Sequence, residues 1–348
     1  MVTGRNTLLV LVPPHRGSTR NVTLTSDSGS GSPESVTLHE VTVEHQLSQR
    51  PIGHTFVKDV NIVDGGVVKR YDDLALPGRG PPLAFTRTYA NRSDEASPLG
   101  RGWDHNYRSF VTEVPGGRYA IVGGDGSGQV FTCGGVTCTP QKGHHGTFAV
   151  EGQGFVFRSK AGMRFHYGVP DGFFYPPRAR LAAIEDPAGN RITLDYGGNE
   201  SDHEVVAVHG SGGTRSLHFS YERPVGAKHA HLKQVEIFID PLQGPGVPGG
   251  ICLQYGYDVN EVLSSVKRLD GACADNPPVL RSEAYAYQDS TDENLQTNLV
   301  SYTDPNGKTT TWSYYDISTG TDGRYVKDIH EPAPGGGLHT VRRSGWLA

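Results

Sequence analysis

The sequence predicts an all-β protein in which successive β-hairpins form an extended, curved antiparallel sheet. Three observations carry this expectation. Forty-six glycines and 23 prolines among 348 residues recur every few positions instead of collecting in one block, so they punctuate many short segments. Between them apolar and polar positions alternate, as with Phe85, Arg87 and Tyr89 on one side and Thr86 and Thr88 on the other, which is the period of a strand. A hairpin-like unit also recurs in the second half, and self-similarity of this kind means stacked copies of one supersecondary unit. The best helix-like window, Glu261 to Leu269, alternates as well, at Val262, Ser264, Val266 and Arg268. It lies between strand-like runs and is assigned to strand.

In chain order, residues 1–50 are a Ser/Thr-rich leader, typified by Ser26-Asp27-Ser28-Gly29-Ser30-Gly31-Ser32, and composition predicts flexibility. Residues 51–175 open the β region, with turn dipeptides at Gly116-Gly117, Gly123-Gly124, Asp125-Gly126 and Asp171-Gly172. Residues 176–345 hold the repeats. Leu181-Ala182-Ala183-Ile184-Glu185-Asp186-Pro187-Ala188-Gly189-Asn190 leads into Arg191-Ile192-Thr193-Leu194-Asp195-Tyr196, and Leu299-Val300-Ser301-Tyr302-Thr303-Asp304-Pro305-Asn306-Gly307-Lys308 leads into Thr309-Thr310-Thr311-Trp312-Ser313-Tyr314. In each copy an aspartate accepts from turn N–H groups, a proline pre-sets φ, and a glycine takes φ > 0. Degenerate copies lie between, around Tyr257-Asp258 and from Leu217 to Asp240-Pro241. Hairpins with an apolar face cannot stand alone, so successive copies must pair edge to edge, and the free edges of an incomplete sheet predict self-association or a partner chain.

The run Arg70-Tyr71-Asp72-Asp73-Leu74-Ala75-Leu76-Pro77-Gly78-Arg79-Gly80-Pro81-Pro82-Leu83-Ala84-Phe85-Thr86-Arg87-Thr88-Tyr89, continued by Leu99-Gly100-Arg101-Gly102-Trp103-Asp104-His105-Asn106-Tyr107, resembles the signature of the N-terminal domain of unknown function that opens many Rhs and polymorphic-toxin chains. The hairpins after it resemble YD repeats, named for a Tyr-Asp pair such as Tyr257-Asp258. The resemblance implies a bacterial, secreted or cell-surface protein whose strands wind into a hollow shell around a C-terminal toxin. This chain would be the first arc of the wall, its concave face toward a payload or a further repeat-containing chain. The family residues it implies are structural: Pro77, Gly78, Arg79, Gly80, Arg87, Tyr89, Gly100, Gly102, Trp103, Asn106 and Tyr107, with repeat turns at Asp186, Pro187, Gly189, Tyr257, Asp258, Asp304, Pro305 and Gly307. Two departures stand out. The opening Pro-Val-Asn-plus-Gly motif is partial, as Val60-Asn61-Ile62-Val63-Asp64-Gly65, and few repeats follow with no toxin-like segment, so a truncated shell segment is expected.

Candidate chemistry fares poorly against plain structural roles. His144-His145 would point to opposite faces of an extended backbone, and so would Asp202-His203-Glu204. His229 and His231 share a strand face but lack a third ligand at matching spacing. Gly210-Ser211-Gly212-Gly213 is a turn and not a nucleophile elbow, and the glycine-rich Gly123–Gly128 string is set in a hairpin, the wrong context for a phosphate loop. Trp103, His105 and Tyr107, two apart, are assigned to core packing, with Arg87 and Arg101 paired to Asp72, Asp73 or Asp104. The four cysteines admit two disulfides, Cys133–Cys138 and Cys252–Cys273, or free thiols, whereas zinc spacing is weak. The balance of 32 Lys and Arg against 37 Asp and Glu, net −5, shows no basic footprint for nucleic acid. The longest early apolar stretch, Leu8 to Val12, is far short of a membrane span. The expectation is a structural β module with no cofactor and no catalytic site; the competing readings are a carbohydrate- or protein-binding surface module and, last, a hydrolase.

Overall fold

The computed structural model describes residues 20–26, 34–40, 56–57, 59–61, 65–93, 96–142, 144–172, 176–199, 202–227, 229–239, 247–316, 323–332 and 338–342. The chain divides into two compact units, Met1–Gln46 and Leu47–Ala348. In the first, β1 (Arg20–Ser26) pairs antiparallel with β2 (Glu34–Glu40). The register sets Val22 opposite Leu38 and Leu24 opposite Val36, so the Ser/Thr-rich composition conceals a short aliphatic alternation. The rest of the 1–50 leader lies outside the described residues, as does the Asp240-Pro241 step.

The second unit is built from antiparallel strands, with a 3-10 turn at Cys273–Asp275 and no α-helix among the described residues. Its first strands are the short pair β3 (Phe56–Val57) and β4 (Val60–Asn61), followed by a three-stranded sheet of β5 (Val68–Leu76), β6 (Leu83–Ala90) and β7 (Trp103–His105). Eight strands come next: β8 (Phe110–Val114), β9 (Arg118–Val122), β10 (Gly128–Gly134), β11 (Thr137–Pro140), β12 (Thr147–Glu151), β13 (Gly154–Arg158), β14 (Arg164–Tyr167) and β15 (Arg178–Glu185). Each pairs with its successor, and the N-terminal half of β15 returns to β8 through Arg178↔Thr112, Ala179↔Val111 and Arg180↔Phe110, closing the circuit. Closure removes the free edges of a sheet. Phenylalanine fills the interior: Phe131, Phe148, Phe155 and Phe157 are buried, and Phe148 stacks on Phe155 at 5.5 Å between centroids.

The C-terminal half of β15 faces elsewhere. Ala183, Ile184 and Glu185 pair with β16 (Arg191–Tyr196), and from there one continuous meander runs through β17 (Val205–His209), β18 (Arg215–Glu222), β19 (His231–Ile239), β20 (Val247–Tyr257), β21 (Leu263–Asp270), β22 (Val279–Tyr287), β23 (Leu299–Thr303), β24 (Thr309–Tyr314), β25 (Val326–Pro332) and β26 (Leu338–Arg342). The all-β, antiparallel, hairpin-by-hairpin architecture therefore holds. Curvature has a local cause, since eight pairings between β14 and β26 carry a register shift, and bulges bend the bulged strand and raise its twist. The three-stranded sheet β5–β7 packs on the concave face of the meander, where Phe85 meets Phe219 and Tyr255 and Trp103 meets Tyr285. One core spans both layers.

Candidate functional site: a tyrosine ladder and a buried arginine

Each even-numbered strand of the meander from β16 to β24 carries a tyrosine at its last position, or in β18 at the last but one, and a register shift falls immediately before it: Asp195/Tyr196, Ser220/Tyr221, Gly256/Tyr257, Ala286/Tyr287 and Ser313/Tyr314. The backbone of each tyrosine pairs with a buried aliphatic residue at or next to the start of the next strand: Val205, Leu232, Leu263, Leu299 and Val326. Its hydroxyl reaches back the other way. Tyr221 donates to Val205 O, Tyr257 to Leu232 O, Tyr287 to Leu263 O and Tyr314 to Leu299 O, at 2.5–2.8 Å, and Tyr196 donates to Leu181 O at 2.6 Å. Each side chain thus ties one hairpin to the one before it. Burial pushes all five phenols well above their ordinary pKa, so they remain protonated donors.

The sequence marked Tyr196, Tyr221, Tyr257 and Tyr314 but not Tyr287. Leu299-to-Tyr314 is a compact copy, whereas a loop from Gln288 to Asn298 separates Tyr287 from the strand it pairs with, which hides the period. Tyr167, also missed, begins the same arrangement, pairing with Leu181 after a shift at His166/Tyr167.

Against this ladder sits Arg87, on the central strand of β5–β7 and fully buried. It donates from Nε and Nη2 to the Asp73 carboxylate at 2.5 and 2.7 Å, from Nη2 to Glu283 at 3.1 Å and from Nη1 to the Tyr285 hydroxyl at 3.3 Å. Tyr255 donates to Asp73 at 3.1 Å and Tyr285 to Glu283. The rings of Tyr71, Trp103, Tyr255 and Tyr285 stand 5.0–5.8 Å from the guanidinium carbon, within cation–π range. Burial alone would lower the arginine pKa, and Asp73, followed by Tyr285, more than reverses that. The guanidinium and both carboxylates all have partners, so the group ties the β5–β7 sheet to the meander.

The remaining family-like residues are fasteners of the same kind. Asn106 works as a strand substitute, accepting from Thr86 N at 2.9 Å and donating to Ala84 O at 2.8 Å, and Tyr107 accepts from Ala84 N at 3.2 Å. Trp103 Nε1 donates to Tyr287 and Tyr89 donates to Thr297 O, at 2.7 and 2.5 Å. Pro77, Gly78, Arg79 and Gly80 form the β5–β6 turn; Gly80 has φ +90° and a Cβ there would stand 2.3 Å from Asn190. Gly100, at φ +86°, lies so close to Glu261 that a Cβ would fall 2.4 Å from its carbonyl, and Gly102 has φ +80°. Asp186, Asp258 and Asp304 each accept two turn N–H bonds from residues two and four further on. Pro187 and Pro305 sit within these turns, and Gly189 and Gly307 take positive φ.

Three sequence expectations need correction. Arg101 does not pair with Asp72, Asp73 or Asp104 but with Glu293, at 3.4 Å, because it sits in the β6–β7 loop, where the Glu293 carbonyl also accepts from it at 2.6 Å. Asp104 is taken by Arg108, which also binds Glu204 at 2.9 Å. Asp202 and His203 are not alternating strand residues but a turn, with φ of 51° and 60°, and Glu204 is buried by its arginine. His231 alone belongs to β19, buried, 3.3 Å from the Glu261 carboxylate and with its ring tilted against that of Tyr257 at 4.5 Å; His229 precedes the strand.

Among the described residues no group of three or more His, Cys, Asp or Glu could hold a metal. Disulfides join Cys133 to Cys138 and Cys252 to Cys273. A cavity of ≈ 470 Å³ is lined by Gln288, Leu295, Val300, Trp312, Tyr314 and Asp316 among others, with no histidine or cysteine. No helix among the described residues is long and apolar enough to cross a membrane.

A family profile described as a domain of unknown function, DUF6531, matches residues 58–131, which contain β5–β7, Arg87 and the Asn106 staple. No curated protein matches the sequence. Among solved structures, the chain is similar to TcdB2-TccC3 in complex with Cdc42, with 14% identity over 78% of this chain and 18% of that one, TM-score 0.43. It is similar to the Tc holotoxin pore of Photorhabdus luminescens, with 14% identity over 80% and 20%, TM-score 0.47. The N-terminal domain of effector protein SpvB from Salmonella typhimurium aligns over 58% of this chain and all of that one, with 15% identity and TM-score 0.40. The chain spans about a fifth of the length of the two toxin-complex chains.

Proposed function

We propose that this chain is a wall segment of an Rhs/YD-type β shell that belongs to a toxin-delivery system, and that it works as a container and not as an enzyme. The observation that supports this best is the ladder. Its tyrosines join hairpin to hairpin by the same bond, a scheme that extends by addition of further copies, and bulges curve the sheet around a concave face. The family-matched region braces that face from inside through Arg87. Two disulfides suit a chain that meets an oxidising compartment, which fits a secreted or surface protein. Buried and mutually satisfied charges suit a scaffold.

The test is protection of a payload. The chain is co-expressed with the polypeptide of the next downstream reading frame, and the purified complex is challenged with trypsin. Co-purification with a payload cleaved at least about tenfold more slowly than free payload is expected, because proteolysis tracks access. Equal cleavage rates, or no co-purification, would sink the container reading.

A further inference from the structure

Strand β22 outruns its neighbour. Pairing with β23 starts at Ala284↔Thr303, and the β23–β24 turn follows at once at Asp304. Val279 to Glu283 therefore have no strand on that side among the described residues, although on the other side they pair with β21 through Leu269↔Val279, Arg268↔Arg281, Lys267↔Ser282 and Val266↔Glu283. A strand held in register on one side and open on the other presents unpaired N–H and C=O groups, a ready template for another strand. Val279 and Leu280 are 52% and 56% exposed.

The charge at this edge is unbalanced. Arg268 and Arg281 stand directly opposite each other on the concave face, at the end of the row Phe219, Val235, Leu253. Like charges directly opposite destabilise a sheet. Neither side chain makes an ion pair or hydrogen bond among the described residues, while Glu283 on the same face is held by Arg87 and Tyr285. A second copy pairing here about a two-fold axis would set Arg281 against Arg281, so the edge disfavours itself. A strand carrying carboxylates would relieve the repulsion.

The geometry points to Val279–Glu283 as a docking edge for an extended acidic segment of a partner protein. The segment adds as a strand beside β22 and places a carboxylate next to Arg281, with Arg268 one strand behind. Val279 pairs with Leu269 and so lies on the outer face, which means that a segment alternating carboxylate and apolar side chains matches both faces. This rests on register and charge, and not on the shell reading.

The probe is a fluorescein-labelled peptide, acetyl-(Val-Glu)4-amide, titrated by anisotropy against the full chain, with acetyl-(Val-Lys)4-amide and a backbone N-methylated (Val-Glu)4 as comparators. Saturable binding of the first peptide alone is expected, weakened about tenfold or more in the Arg268→Ser/Arg281→Ser double variant, as for loss of close charge pairs. Unchanged affinity in the double variant, or equal binding of the lysine peptide, overturns the charge argument. Equal binding of the N-methylated peptide overturns strand addition, and that comparison needs no variant to fold.

Discussion

Arg87 is a charge with no route to water, and its environment decides what its loss would cost. Taking a guanidinium out of water costs several kcal/mol, offset only when every donor finds a partner, and here Asp73, Glu283 and Tyr285 are those partners. Removing the arginine strands the buried Asp73 carboxylate and leaves the half-buried Glu283 without its cation, a change worth about 3–5 kcal/mol. Arg87→Ala should therefore lower the urea midpoint by that equivalent, and Arg87→Lys should recover only part of it, since a lysine cannot form the bidentate pair. An unchanged midpoint would remove the arginine from the list of structural residues. His105 makes the opposite case. Fully buried between Phe85 and Phe219, with neither ring nitrogen hydrogen-bonded, it has its pKa lowered to about 3 by burial, helped by Arg108. The unfolded chain binds this proton below about pH 6.5 while the folded one refuses it until about pH 3. Stability is thus fully present above the unfolded pKa and falls as pH drops through that window, by up to about 1.4 kcal/mol per pH unit. Urea midpoints between pH 7 and pH 4 should fall less steeply for His105→Phe than for the wild type; parallel curves would exclude the histidine as the cause.

At the scale of single elements, the hairpins share one turn and one rung, and both can be probed by small changes. Tyr257 donates to Leu232 O at 2.6 Å and lies 3.0 Å from Pro98 O. Tyr257→Phe keeps the ring but leaves buried carbonyls without their donor, a cost of about 1–3 kcal/mol that equilibrium unfolding would read. In the five-residue turns closed from Gly123 to Ser127, Ser159 to Met163, Asp186 to Asn190 and Asp304 to Lys308, the fourth residue is Gly126, Gly162, Gly189 or Gly307, all at positive φ. The Asp258–Val262 turn has Glu261 there instead, at φ 61°. Glu261→Gly should relieve that strain and stabilise by about 0.5–1 kcal/mol, since the carboxylate it gives up is 40% exposed and its contact with His231 is correspondingly weak; a lower midpoint would show that this contact outweighs the strain. These turns were legible in the sequence because Asp-Pro-x-Gly chemistry is local. Most of the rungs were legible too, as aromatic residues that end strands. The arginine cage was not: Arg87 and Glu283 are 196 residues apart, and no local pattern connects them.

For the unit Leu47–Ala348, the sequence announced a meander of hairpins but not the closed circuit of β8–β15, and the reason lies in one strand. β15 alternates Ala179, Leu181 and Ala183 inward like any other strand, yet its first half pairs with β8 and its second half with β16 on the same edge. Alternation fixes which face is buried and says nothing about which strand lies alongside, so a fork of this kind leaves no trace in the pattern. The fork makes β15 a shared wall. The phenylalanine-filled circuit and the tyrosine ladder both end on it, and Leu181 is common to both: its backbone pairs with Tyr167, its carbonyl accepts from Tyr196 and its side chain is 1% exposed. Leu181→Ala should cost about 2–5 kcal/mol through the cavity it opens, and because the wall is shared, both sides should loosen together. Hydrogen exchange would show this as a parallel loss of amide protection in β10–β13 and in β16–β20. Loss confined to one side would mean that circuit and ladder are separate cooperative units joined only by the chain.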